Sequence, residues 1–223
     1  MRVDEAIEGR QSIRAFDPSR PVPRATLETI LATASRAPSG SNIQPWHVYV
    51  VTGDLQRRIA DTCANRYLAG DEGEAEYHYY PQAWRQPYIG RRRQTGFGLY
   101  GLLGIEKNDA AAVQAYRVTN YRFFDAPMGL FFTIDRDMEL GSWLDYGMFL
   151  QSIMLAAREQ GLETCPQAAF CPYHDSVMPL LQAPETQMLV CGMSVGYPLA
   201  DATINSYRTE RLDVTEFTTF PEA

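Results

Sequence analysis

The sequence predicts an α+β fold, on three observations. Helical and strand periodicities both occur along its 223 residues, they follow no regular strand–helix–strand series, and a 45% hydrophobic content with 12% aromatics suffices for a sizeable core. The expected unit is one domain over residues 1–223, carrying an excursion at about 70–108.

Residues 3–9 read as a short helix. "RATLETILATASRAPSG" (24–40) is a stronger one, with Leu27, Ile30, Leu31 and Ala34 at helical spacing and Pro38, Ser39 and Gly40 as its stop. "WHVYVVT" (46–52) has the β-branched and aromatic density of a buried strand. "DLQRRIADTCANRYLA" then sets Leu55, Ile59, Cys63 and Tyr67 on one helical face. From about 70 to 108 the periodicity is lost among Tyr, Gly, Arg and Pro, and a long stretch without regular structure is typically a functional lid. A helix at 109–123 and the strand "MGLFFTID" (128–135) follow. "SWLDYGMFLQSIMLAAREQG" is a helix capped by Ser142 and ended near Gly161. Its middle, Met148 to Ala157, is apolar almost all round, which predicts burial on several sides and a second subunit as a natural partner. A short helix around 173–182, the strand "TQMLVCGMSVGYP" (186–198) and an extended tail complete the chain.

A formal charge of −7 and a pI near 5.0 argue against nucleic acid or an anionic membrane as partner, since both need a net positive field. No run approaches the roughly 18 apolar residues of a membrane span. Four scattered cysteines and the polar start "MRVDEAIEGR" make a reduced cytoplasmic compartment the expectation.

"RQSIRAF" (10–16) places Arg10, Ser12 and Arg14 on one face of an extended segment, opposite Gln11, Ile13 and Ala15. Such a comb is either an anion clamp or a solvated edge strand whose charges discourage pairing. In "APSGSNIQPWHVYVV" (37–51), Ser39, Ser41, Asn42 and Gln44 crowd beside a strand, suited to a polar ring or sugar chain, or to ordinary turn chemistry. "GFGLYG" (96–101) spells G-x-G-x-x-G but follows no strand, so it reads as lid and not as a dinucleotide site. "CPQAAFC" with His174 lacks the second ligand pair of a zinc site, and Cys165 and Cys171 read as buried thiols. "RRR" (91–93) is a solvated charge run or, within a lid, an attractor of phosphate or carboxylate. With three histidines and no nucleophile elbow, no acid–base, nucleophile or metal constellation stands out. An enzyme of this sequence would take its chemistry from a cofactor.

Five stretches, "RQSIRAF", "APSGSNIQPWHVYVV", "FFDAPMGLFFTID", "GLETCPQAAF" and "RTERLDVTEF", occur in that order between about residues 5 and 218. Together they resemble the FMN-dependent nitroreductase family, closest to its nitrobenzoate-reductase-like branch. The resemblance implies a central, mostly antiparallel sheet flanked by helices, in an intertwined homodimer with FMN at the interface. It implies that Arg10, Ser12 and Arg14, with Gln11 beside them, hold the FMN phosphate and ribityl chain. Pro38, Ser39 and Asn42, with Ser41 and Gln44, would reach the flavin from the other subunit. Pro166, Gln167, Ala168 and Ala169 would lie along the ring, with a backbone N–H near Ala168 facing flavin N5. Relatives often carry an acidic residue and a glycine in that segment, so the alanines leave the backbone as the contact. Arg208 and Arg211 resemble the cationic pair that returns to the phosphate, and Arg122 sits where relatives place a cation near the pyrimidine edge.

Converging arginines suit a phosphate carrying close to two negative charges, through bidentate, charge-assisted hydrogen bonds. The implied activity is reduction of nitroaromatics, and of quinones, with NADPH or NADH as donor, by ping-pong hydride transfer through flavin N5 and without a metal. Tyr79, Tyr80, Trp84 and Tyr88 would form a lid over a small aromatic substrate, and Arg91 to Arg93 would favour a carboxylated ring. Two other readings stay open: a same-fold flavin enzyme catalysing reductive dehalogenation, enoate reduction or flavin fragmentation, and a non-catalytic FMN-binding redox protein.

Overall fold

The computed structural model describes residues 1–106 and 108–221. Its strands are β1 (His47–Thr52), β2 (Met128–Asp135), β3 (Glu163–Gln167) and β4 (Gln187–Gly196), hydrogen-bonded in the order β1-β2-β4-β3. Every pairing is antiparallel, with Phe131 opposite Gly192 and Pro166 opposite Met193. The helices are α1 (Val3–Gly9), α2 (Arg24–Ala34), α3 (Gly53–Leu68), α4 (Tyr88–Leu102), α5 (Ala110–Val118), α6 (Leu140–Glu159) and α7 (His174–Leu181).

Strand β2 is apolar on both faces because the sheet is covered on both. Leu130, Phe132 and Ile134 join Leu27 and Ile30 of α2 and Tyr146, Phe149 and Ile153 of α6. Phe131 faces the other layer, with Ile59 and Cys63 of α3 and Val177 of α7. Alternate side chains thus enter different cores, as the two-residue strand period requires. Two glycines let aromatic rings lie close against this sheet. A Cβ at Gly129 would overlap the Phe123 ring, and one at Gly192 would press on Phe170. Phe123, Phe124 and Asp125 are consecutive left-handed residues, with φ of 55, 52 and 64°. Their turn is held by Phe16, which donates to the Phe124 carbonyl, and by Ser194, which donates to the Phe123 carbonyl. Such strain persists only where surrounding contacts enforce it.

Several local expectations are corrected. The 70–108 stretch contains α4, which buries only Leu99 among its residues and so never displays an apolar stripe. "GFGLYG" is part of that helix. Helix α2 stops at Ala34, before Pro38. Helix α5 is shorter than 109–123, is capped by the Asp109 side chain, and leads into the left-handed turn. Ser142 is no cap: α6 starts at Leu140, and Ser142 lies buried in its first turn. Strand β1 is at the sheet edge, with Val51 its one fully buried residue, so it is not the buried strand its composition suggests. β3 was not foreseen. Among the described residues, no helix is long and apolar enough to cross a membrane.

Candidate functional site

The opening comb lies beside the edge strand β3. Ser12 forms an isolated parallel bridge with Thr164, Ile13 donates its backbone N–H to the Thr164 carbonyl, and the Ile13 side chain is buried. Because the pairing consists of isolated bridges at Ser12 and Phe16, strict alternation does not hold, and Gln11 faces the same cleft as its neighbours.

The returning tail is strapped to this segment by Asn205. Its Oδ1 accepts from the backbone N–H groups of Arg14 (2.9 Å) and Ala15 (3.1 Å), and its Nδ2 donates to the Ala15 carbonyl at 2.8 Å. Gln11 Nε2 donates to the Asn205 carbonyl at 2.8 Å. Asn205 sits in a short polar turn without periodicity, and no sequence signal distinguished it.

Comb and tail thereby enclose a cleft of about 690 Å³, lined by Arg10, Gln11, Ser12, Arg14, Pro166, Arg208 and Arg211 together with Gln151 and Met154 of α6. Behind it, Arg158 and Glu163 form an ion pair. Arg158 and Arg208 both donate to the Gly9 carbonyl, at 2.8 and 3.1 Å. Burial pushes the Glu163 carboxyl up, against the downward pull of Arg158, Arg208 and Arg10. Arg10 is shifted down, first by its own burial and then by Arg211. Burial raises the Cys165 thiol to about 11, so it stays protonated near neutrality despite Arg14. Among the described residues there is no group of three His, Cys, Asp or Glu side chains able to hold a metal ion.

The cleft fits a polyhydroxylated phosphate. Its cations come from both ends of the chain, and Gln11 Oε1 is a buried acceptor with no partner in the protein, where a ligand hydroxyl can donate. Pro166 also lines a second, more apolar cavity of about 600 Å³, walled by Tyr77, His78, Tyr79, Trp143, Leu150, Ala168, Met188 and Cys191 among others. A polar cleft and an aromatic one therefore adjoin at Pro166. The Gln167 side chain is committed elsewhere: Nε2 donates to Asn120 Oδ1 at 2.9 Å, and Oε1 accepts from Ser194 at 2.7 Å. Ala169 packs on the core.

Other candidates lie apart. Pro38, Ser39, Ser41, Asn42 and Gln44 line neither cavity of their own chain, and neither does Arg122, which is exposed. The loop is nonetheless specified. Gly40 donates its N–H to Asp145 Oδ2 of α6 at 3.0 Å, Ser39 Oγ accepts from the Gln44 backbone at 3.0 Å, and Ser41, Asn42 and Gln44 have φ of 49, 59 and 49°. Of the four expected lid aromatics, Tyr79 alone lines the second cavity. Tyr80, Trp84 and Tyr88 stand outside it, while Tyr77, His78 and Trp143, which were not singled out, line it. The rings form a chain with centroid separations of 4.7 Å for Trp143 to Tyr77, 6.5 Å to Tyr79, 4.7 Å to Tyr80 and 5.4 Å to Trp84. The segment entering this chain is tied down: Glu74 donates to the Pro172 carbonyl, Tyr173 to that of Asp71, and Glu76 pairs with Arg136 at 2.6 Å.

Comparison with known proteins gives concordant results. Residues 7–197 match the model of the Nitroreductase family. The chain is 40% identical over 220 residues to a 4-nitrobenzoate reductase of Nocardioides sp. (strain LMS-CY), covering 97% of this chain and 89% of that protein. It is 38% identical over 219 residues to a chloronitrobenzene nitroreductase of Comamonas testosteroni, covering 98% and 96%. Among solved structures, the FMN and NADPH-dependent nitroreductase NfnB from Sphigopyxis sp. strain HMH superposes with a TM-score of 0.96 at 38% identity over 100% of both chains.

Proposed function

The chain belongs to the nitroreductase family, and on that premise we propose that it is an FMN-dependent enzyme that takes reducing equivalents from NADPH or NADH and passes them to nitroaromatic compounds. The observation that carries this reading is the meeting of arginines from both ends of the chain on a polar cleft that opens, across Pro166, into a cavity walled by aromatic rings.

Bound FMN supplies the two-electron chemistry that the side chains lack. Arg10, Arg14, Arg208 and Arg211 neutralise its phosphate, and Ser12 and Gln11 bond the ribityl hydroxyls. Pro166 and the backbone at Ala168 and Ala169 would support the ring, with the Ala168 N–H as a backbone donor to it. Tyr77, Tyr79 and Trp143 offer flat apolar walls to a small aromatic substrate and exclude water from it. Quinones share that shape. One cavity serving donor and acceptor in turn entails ping-pong kinetics.

The functional unit is a homodimer in which the 38–44 loop of each chain reaches the flavin of the other. Two features support this: the loop's specified fold outside its own chain's cavities, and the exposure of Leu140 (84%) and Leu144 (71%) on α6. The chain acts as one FMN-binding unit over residues 1–223, in the cytoplasm.

The test is the visible spectrum of the purified protein before and after anaerobic NADPH, followed by steady-state kinetics with a nitrobenzoate. A yellow protein bleached by NADPH, with parallel double-reciprocal plots and nitroso and hydroxylamine products, is expected. A colourless protein that FMN does not reconstitute overturns the reading, converging plots overturn the shared cavity, and a substrate panel with product identification separates nitro reduction from dehalogenation, enoate reduction or flavin fragmentation.

A further inference from the structure

Glu76 is a carboxylate held largely out of water at the entrance to the aromatic wall. Its side chain is 13% exposed, and it immediately precedes Tyr77, His78 and Tyr79, which line the second cavity. Arg136, from the turn after β2, pairs with Glu76 Oε1 at 2.6 Å. Arg136 is itself fixed to the turn that leads into β4, its Nε donating to the Glu185 carbonyl at 2.7 Å and its backbone N–H to that of Thr186 at 2.9 Å. Glu76 Oε2 is buried and has no hydrogen-bond partner, and His174 Nδ1, at the start of α7, stands 3.4 Å from it.

A buried acceptor without a partner is costly, and the group beside this one has two charge states. A protonated imidazole offers Oε2 an N–H and a positive charge, whereas a neutral ring with its proton on Nε2 offers only a lone pair. The hold on Glu76 thus has a permanent half, Arg136, and a conditional half, His174. Other groups around His174 are already engaged. Asp175, on its own helix, is paired with Arg66 of α3, and the Cys171 thiol, raised by burial to about 11, stays neutral. The positive end of α7 opposes charge on His174, and the carboxylates of Glu76 and Asp175 offset it. Downstream, among the described residues, no backbone N–H of 75–87 bonds to another backbone group, so side chains hold this stretch. Tyr77 is one such hold, its hydroxyl donating to the Val190 carbonyl at 2.5 Å and its ring 4.7 Å from that of Trp143.

We propose that Glu76 is a positioning residue for the aromatic wall and that protonated His174 tightens it, so that the cavity holds a nitroarene more firmly at acid than at alkaline pH. The proposal rests on the nitroarene reading above and deepens it. Trypsin cleavage after Arg85, inside the stretch, reads the hold without cofactor or turnover. Wild type and His174→Gln are compared at each pH, so that the protease's own pH dependence cancels. Wild type is expected to be cut about threefold more slowly than the variant near pH 6 and equally near pH 8.5, as fits a partly exposed ion pair. In the FMN-loaded enzyme, the KM for nitrobenzene, which has no titrating group, follows the same ratio while kcat does not. His78→Gln, which removes the histidine of the wall itself, keeps the dependence. Glu76→Gln abolishes it, and adding His174→Gln to Glu76→Gln changes nothing more. Equal cleavage of wild type and His174→Gln at every pH, a dependence carried by His78, or additive effects of the two substitutions overturns the proposal. Cleavage that follows pH as expected in a protein that reduces no nitroarene overturns the nitroarene reading alone.

Discussion

Asp145 is the anchor on which the 38–44 loop depends, and replacing it measures what that anchor contributes. The residue is 8% exposed and accepts the Gly40 N–H at 3.0 Å. A hydrogen bond to a charged acceptor contributes about 1.5–3 kcal/mol. Gly40 is itself exposed, so water can satisfy its N–H once the carboxylate is gone, which places Asp145→Ala near the lower figure. Against that anchor stands the cost of three left-handed non-glycine residues, Ser41, Asn42 and Gln44, at roughly 1 kcal/mol or more each. Without the anchor, the loop relaxes and must be reordered at each binding event. If it contacts the flavin, FMN affinity then falls about tenfold, because each 1.4 kcal/mol is a factor of ten. The assay is quenching of FMN fluorescence on titration with apo-protein, with a thermal melt to show that the fold persists. Asp145→Asn keeps an acceptor at about half the strength and should fall between wild type and Asp145→Ala. An Asp145→Ala protein with wild-type FMN affinity would refute the loop's role in holding the cofactor.

Two further outcomes follow from the cleft. Asn205→Ala removes three hydrogen bonds that pin the tail to Arg14 and Ala15; limited proteolysis should cut the tail beyond residue 202 faster, and FMN affinity should fall about tenfold or more. Glu163 has a carboxyl raised by burial, so its folded pKa exceeds its unfolded value. The stability tied to its protonation is present below the ordinary glutamate range and is lost as pH rises through the raised value. Apo Glu163→Gln should therefore gain in melting temperature relative to wild type as pH increases across that window, and should bind FMN several-fold more tightly because a negative charge behind the phosphate is gone. A pH-independent difference between the two melting curves would contradict the assignment.

The strongly patterned elements were readable without coordinates. β2 and β4 are dense apolar runs, and α6 is long and bounded by polar ends, so their type followed from composition and period alone. The arginines of the comb and tail were also identified, and the structure brings Arg10, Ser12, Arg14, Pro166, Arg208 and Arg211 to one cleft. What escaped was structure that burial does not print into sequence. Helix α4 buries only Leu99 and carries Gly90, Gly96, Gly98 and Gly101, so neither period nor propensity marks it. β3 has five residues with Pro166 among them, tolerable because β4 is its only partner strand and the comb bridges its other side at Thr164 rather than at Pro166. Asn205, through three side-chain hydrogen bonds, and Asp145, through one, act on distant backbone, which leaves no local signature.

The Asn205 clasp also orders events in time. It joins positions 190 or more residues apart, and both walls of the phosphate cleft depend on it. As a ribosome extends the chain, the sheet and the helices packed on it through β4 are all synthesised before the clasp exists. If this cleft is the FMN phosphate site proposed above, cofactor capture waits until residue 211 has emerged from the exit tunnel. On that proposal, a chain that stalls or is clipped before that point would remain colourless, and yellow colour in a cell extract would count finished molecules.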